Sequence, residues 1–170
     1  MDDDPPSRIE IAVSRISGTL IAKADLLRTV IRAALERHGV QRGSVSVALV
    51  DDPHMARLHG AHLGKNRTTD VLAFNLLDPP SEKGVADRAV DGEIVISTQT
   101  AIREAALRGH SPEAELALYA VHGALHLLGH DDRTAQDAAR MHALEDEILT
   151  TAGLGSVFST SRPVDSGDSS

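Results

Sequence analysis

The sequence predicts an α+β fold, a single domain in which a mixed four-stranded sheet packs against about five helices. Strand-like segments alternate with helix-like segments, in the order strand, helix, strand, helix, strand, strand, followed by helices. This order favours one sheet with helices packed against it. At 170 residues, the chain can bury a core but is too short to divide comfortably into two domains.

The first part of the chain is predicted to hold two strands and two helices. Apolar residues alternate in RIEIAVS, which predicts a strand, and then follow helical spacing in ADLLRTVIRAALERHG, which ends at Gly39. The segment Ser44–Val50 predicts a second strand. Asp52 as N-cap, with Pro53 in the first helical position, predicts a short helix that ends near Gly64.

The second part is predicted to hold two strands and then three helices. TDVLAFNL and GEIVIST are strand-like, and the Pro-rich and Gly-rich segment LDPPSEKGVADRAVDG between them is predicted to be a loop. The helices are predicted at Thr98 to about Leu107, Pro112 to Leu128 with Ser111 as N-cap, and about Thr134 to Thr151. The acidic residues 1–7 and the Ser-rich residues 155–170 predict disordered ends around a folded domain of residues 8–154.

The composition limits the chemistry. The chain has no cysteine, so any metal must be held by histidine and carboxylate side chains. A net charge of −8 argues against a broadly basic nucleic-acid surface, although it does not exclude a local basic patch. With only 2% aromatic residues, a platform on which several bases stack is not expected. The short apolar runs and the acidic N-terminus predict a soluble, cytoplasmic protein with no membrane partner.

The stretch HGALHLLGHDD concentrates three histidines and two aspartates. His122 and His126 lie four positions apart on a predicted helix, so both imidazoles share one face, with Cβ atoms about 6 Å apart, and can bind one ion. Gly129 is predicted to turn the chain just past the helix end, and this turn can bring back a third ligand: His130, Asp131 or Asp132. A surface or core role for the histidine pair is the alternative.

The stretch resembles the signature HGxLHLxGYDH of the YbeY family, bacterial zinc-dependent endoribonucleases of rRNA maturation. TTDVLAF resembles that family's PTDVLSF segment and DGEIVIS resembles its GDIVIS strand, in the same order. The resemblance covers Val45 to Ile148. It implies one Zn²⁺ per chain and a single-strand-specific endoribonuclease acting in 16S rRNA 3′-end maturation and ribosome quality control. The implied partners are rRNA or the small ribosomal subunit, and a ribosomal or assembly protein, with no DNA.

Three positions depart from the family pattern. The family's third zinc histidine is Asp132 here, its tyrosine is His130, and an arginine associated with the RNA backbone falls on Leu63. Because carboxylate oxygen is an ordinary zinc ligand, the ligands are predicted to be His122, His126 and Asp132, with His130 as the alternative third ligand. The aspartate adds one negative charge and makes the zinc less electrophilic.

Further candidates lie beside this cluster. Asp131, which matches a family aspartate, and His130 are the candidate catalytic groups, and a capping role is equally open for Asp131. His62, Lys65 and Arg67 are tentative RNA contacts, and solvated surface positions are their alternative. With so few cations, RNA binding is expected to be weak and salt-sensitive.

Two other functions stay open. The altered third ligand and the missing arginine are compatible with a ribosome-assembly binding protein that has a mainly structural metal site and weak or no nuclease activity. A metal-dependent hydrolase of a non-nucleic substrate fits the acidic charge, but no motif supports it.

Overall fold

The computed structural model describes residues 8–17, 24–63, 71–76, 88–130 and 132–153, and within the second range it describes side chains as far as residue 58. In chain order the elements are β1 (Arg8–Arg15), α1 (Ala24–Arg37), β2 (Val40–Val50), α2 (Asp52–Leu63), β3 (Val71–Asn75), β4 (Arg88–Ser97), α3 (Thr98–Arg108), α4 (Pro112–Leu127) and α5 (Ala135–Thr151). The predicted α+β class is confirmed. The predicted disorder of residues 1–7 and 155–170 falls outside the described ranges.

The four strands form one mixed sheet in the order β1-β2-β4-β3. β1 and β2 are parallel, as are β2 and β4, whereas β3 runs antiparallel to β4. A parallel pair needs a crossover, and α1 supplies it between β1 and β2. β2 and β4 are therefore the central strands, and β1 and β3 are the edge strands.

One face of the sheet forms the main core. Val47 of β2 and Ile94 of β4 are paired in register and buried against the layer that contains α1, α4 and α5. α4 is apolar around most of its circumference because it contacts β3 and β4 of the sheet as well as the helices α1, α3 and α5. A Cβ on Gly123 would lie 2.7 Å from Ile94 Cγ2, so this glycine allows α4 to approach β4 closely.

The opposite face carries a smaller cluster, in which Met55 of α2 packs against Val50, Leu72 and Val95. The cap of α2 differs from the prediction. Asp51, not Asp52, is the N-cap, because its Oδ1 accepts a hydrogen bond from the backbone N of His54 at 3.0 Å. Asp52 instead accepts hydrogen bonds from β4 and α3, so it connects α2 to these elements.

Two strands begin earlier than predicted. β2 starts at Val40 rather than Ser44, and β4 starts at Arg88, inside the segment predicted as a loop. These first residues show no regular alternation of apolar and polar side chains, but the two strand starts pair with each other across a register shift. Backbone hydrogen bonds to neighbouring strands in the middle of a sheet can hold such residues in a strand even where their side chains have a low strand propensity. Ser111 and Thr134 cap α4 and α5 as N-caps.

In the part of the chain that the structure describes, no helix combines the length and apolar character needed to cross a membrane.

Candidate metal centre

α4 places two histidines one turn apart on its partly exposed side. The Nε2 atoms of His122 and His126 are 3.1 Å apart, and the two rings meet edge to face with centroids 4.6 Å apart. Their side chains are 22% and 31% exposed on a helix that is otherwise largely buried. The i, i+4 spacing in the sequence therefore becomes a pair of nitrogens directed at one point.

The chain reverses immediately after α4. Gly129 has a φ of 100°, and its N–H bonds the carbonyl of His126 at 3.0 Å, while the N–H of His130 bonds the carbonyl of Leu125 at 3.0 Å. These two bonds form a Schellman motif, in which a left-handed glycine ends the helix. The predicted turn at this glycine is confirmed. It brings Asp132 Oδ2 to 3.4 Å from His122 Nε2 and Asp132 Oδ1 to 3.9 Å from His126 Nε2.

Two hydrogen-bond acceptors orient the imidazole rings through their Nδ1 atoms. His122 Nδ1 lies 2.5 Å from Oε2 of Glu145 on α5, a carboxylate that is 1% exposed. His126 Nδ1 lies 3.1 Å from the backbone carbonyl of His130. Because a carbonyl and an ionised carboxylate only accept hydrogen bonds, each ring carries its hydrogen on Nδ1. Both Nε2 atoms then present lone pairs to the same space.

This arrangement fits a divalent cation. The donor atoms of His122, His126 and Asp132 lie within 4.8 Å of one another. Two lone pairs that face each other repel unless a proton or a metal cation lies between them. In a tetrahedral zinc site the ligand atoms are about 3.3 Å apart, and the separations of 3.1, 3.4 and 3.9 Å span that value. These three residues could hold a metal ion and leave one coordination position open.

Glu145 is the component of the centre that the sequence analysis missed. The sequence predicts for it only a place in the last helix. Its signal lies in the helical spacing Met141, Glu145, Ile148, where a glutamate interrupts the buried apolar side of α5. Since a charged side chain is almost never fully buried without a partner, this glutamate predicts a partner on a neighbouring element.

The other predicted site residues lie elsewhere or are not described. The Nε2 atom of His130 lies 2.9 Å from His38 Nε2, and His130 is not part of the group of potential metal ligands. Asp131, Lys65, Arg67 and the side chain of His62 lie outside the described residues, so their predicted roles stay predictions.

Glu93 of β4 lies on the other face of the sheet. It lines a groove of 410 Å³ beside α2, together with Phe74 and Val95.

Comparison with known proteins shows the family to which the chain belongs. A family model described as Endoribonuclease YbeY matches residues 11–153. The chain belongs to the YbeY family. A protein named Endoribonuclease YbeY from Moorella thermoacetica is 44% identical over 75% of this chain and 85% of its own length. Another YbeY, from Myxococcus xanthus, is 42% identical over 77% of this chain, which covers 44% of that longer relative.

A solved structure supports the fold. The solution structure of a Thermotoga maritima protein superposes with a TM-score of 0.53 over 95% of this chain and 99% of the other. At 21% identity this likeness concerns the fold alone. The YbeY assignment therefore depends on the family model and the sequence relatives.

Proposed function

We propose that this chain is a metal-dependent endoribonuclease that cleaves single-stranded RNA, with one Zn²⁺ as its cofactor and 16S rRNA near its 3′ end as its substrate. The observation that carries the proposal is the convergence of His122, His126 and Asp132 in a chain whose relatives are named Endoribonuclease YbeY. The open side of this donor set is where an RNA phosphodiester would approach.

The donor chemistry supports zinc. Two imidazoles and one carboxylate suit zinc and its neighbours in the first transition row, whereas Mg²⁺ and Ca²⁺ prefer oxygen ligands throughout. Zn²⁺ held there would polarise a phosphoryl oxygen and make water more acidic. Asp132, whose side chain is 41% exposed, forms the solvent side of the centre.

The surrounding residues have distinct tasks in this proposal. Glu145 accepts from Nδ1 of His122, and the carbonyl of His130 accepts from Nδ1 of His126, so the lone pair of each neutral ring is on Nε2. Both rings are also held in one orientation. This preorganisation is what lets three side chains bind one ion without further rearrangement.

RNA binding would depend on few cations. His62, Lys65 and Arg67 are proposed contacts near the position of the missing family arginine, in a chain with a net charge of −8. For single strands, each neutralised phosphate contributes about −0.7 to the slope of log K against log salt, so Lys65 and Arg67 together give about −1.4. We propose that a ribosomal or assembly protein supplies additional positive surface.

One alternative has specific support. Asp132 stands where a family histidine is expected, and Leu63 where an arginine is expected. Both changes weaken transition-state stabilisation without removing the fold. A ribosome-assembly binding protein with a structural metal is therefore the second candidate.

The test combines metal analysis with RNA cleavage. Protein purified without chelator is analysed by plasma mass spectrometry and incubated with labelled single-stranded and double-stranded RNA copies of the 16S 3′ region. We expect about one zinc per chain, cleavage of the single strand only, loss of activity with chelator and recovery with Zn²⁺. His126→Ala and Asp132→Ala should reduce both metal content and cleavage.

Asp25→Ala is the matched control, because Asp25 is an exposed aspartate of α1 that is paired with Arg28 and is absent from the cluster. A parent protein that binds zinc but leaves the RNA intact would favour the assembly protein. A parent protein that binds no metal would contradict the proposed centre.

A further inference from the structure

The loop that carries Asp132 is also contacted by the residue that follows α1. His38 follows the last residue of α1, and its ring meets the ring of His130 edge to face, with centroids 4.9 Å apart and an interplanar angle of 79°. The two Nε2 atoms are 2.9 Å apart. An element far away in sequence thus contacts the residue two positions before the third ligand.

The hydrogen positions in this pair follow from its neighbours. His38 Nδ1 lies 2.8 Å from the carbonyl oxygen of Ala34, which can only accept, so His38 carries its hydrogen on Nδ1. Its Nε2 is then an acceptor, and the hydrogen shared with His130 belongs to His130 Nε2. A nitrogen that donates in this way has no lone pair for a metal, and the group of potential metal ligands among the described residues contains Asp132 and not His130.

The backbone of His130 also orients the metal centre. The carbonyl of His130 accepts from Nδ1 of His126 at 3.1 Å, and its N–H bonds the carbonyl of Leu125. The side chain of His130 is held by His38, so both ends of this residue are anchored. A rotation of His130 would move the acceptor behind His126 and would shift Asp132 with it.

We propose that His38 is a positioning residue for the metal centre, acting through His130 to hold the loop that supplies Asp132. This inference depends on the proposed metal site and goes beyond it, because it assigns a role to a residue outside the group of His122, His126 and Asp132. It assigns to the end of α1 a role in metal affinity.

Two amide substitutions separate this role from packing. The side-chain amide of glutamine reaches about as far as histidine Nε2, whereas that of asparagine reaches only as far as Nδ1. His38→Gln therefore keeps an acceptor for His130, and His38→Asn does not. We expect Zn²⁺ affinity, measured by competition with a chromophoric chelator, to fall about 3- to 10-fold in His38→Asn and to be largely retained in His38→Gln.

Arg37→Gln is the control. It removes the ion pair between Arg37 and Glu147 and so weakens the contact between α1 and α5, but it leaves His130 untouched. We expect its Zn²⁺ affinity to equal that of the parent even if its thermal stability falls. The visible absorption of Co²⁺-substituted protein gives a second readout, and it should change in His38→Asn alone.

The outcomes are distinguishable. Equal Zn²⁺ affinity in the parent and in His38→Asn would overturn the positioning role while leaving the metal centre intact. Two bound ions in the parent and one in His38→Asn would make the pair of His38 and His130 a ligand site itself, which also overturns it. Absence of Zn²⁺ binding by the parent would overturn the metal centre and this proposal together.

Discussion

Two buried glutamates each face a histidine, with different consequences. Glu115 on α4 is fully buried and pairs with His110 Nε2 and, at 3.0 Å, with Arg108 Nη1. Glu145 on α5 pairs with His122 Nδ1 at 2.5 Å. The second nitrogen of each histidine makes the difference. His110 Nδ1 is buried and has no hydrogen-bond partner among the described residues, whereas His122 Nε2 faces another histidine and an aspartate.

The same pair of residue types therefore performs two tasks. At the turn between α3 and α4 the carboxylate also has a cation, so the cluster is a structural connection between two helices. At the centre the carboxylate orients a ring whose other nitrogen is directed at a shared point. The surroundings of that nitrogen, and not the presence of a His–Glu pair, indicate a metal site.

Glu145→Gln should produce the larger effect on metal binding. Glutamine can still accept from His122 but lacks the negative charge that makes the ring a stronger ligand. We expect Zn²⁺ affinity to fall about 10- to 100-fold, with the fold retained. Competition titration measures the affinity, and circular dichroism of the metal-free protein checks the fold. Unchanged affinity would show that Glu145 does not orient the metal ligand.

Glu115→Gln should lower the stability of the fold and leave metal binding unchanged. The substitution leaves Arg108 and His110 without a charged acceptor, and we expect the free energy of unfolding to fall by about 1–3 kcal/mol. Zn²⁺ affinity should equal that of the parent. Urea unfolding of the metal-free protein measures the first quantity and the same competition titration the second. A tenfold loss of affinity here would remove the distinction between the two pairs.

Asp52 offers a third carboxylate, held without any histidine. Burial acts to raise the pKa of Asp52, but hydrogen bonds from Ser97, Arg103 and Thr100 outweigh it, so the pKa lies below its ordinary value of 3.8. A pKa that is lower in the folded state stabilises the fold above the unfolded value, and this contribution is lost as pH falls through the folded value.

Asp52→Asn should therefore cost about 1–2 kcal/mol of stability at pH 7. The difference between parent and variant should shrink as the pH drops below about 4. Urea unfolding at pH 7 and at pH 3 measures this change, and Zn²⁺ affinity at pH 7 should be unaffected. A difference that grows in acid would contradict the assigned hydrogen bonds.

Local features of the site were predictable because their causes are local. The spacing of His122 and His126 places them on one helix face, and Gly129 ends that helix in the left-handed conformation. Ser111 caps α4 because its side chain accepts a hydrogen bond from the backbone N of Ala114, three residues later. In contrast, the prediction placed the cap of α2 one residue late, because Asp51 and Asp52 are equivalent in sequence and only contacts with β4 and α3 distinguish them.

The sequence by itself determined the α+β class, the order of the elements and the pair of metal-binding candidates on α4, since periodicity, caps and turns act over a few residues. Only the tertiary structure decided that Glu145 lies behind His122 and that His38 holds His130. These contacts join residues 23 and 92 positions apart. They exist because the apolar faces of α1 and α5 pack against α4, and packing of this kind brings together polar side chains that no local pattern relates.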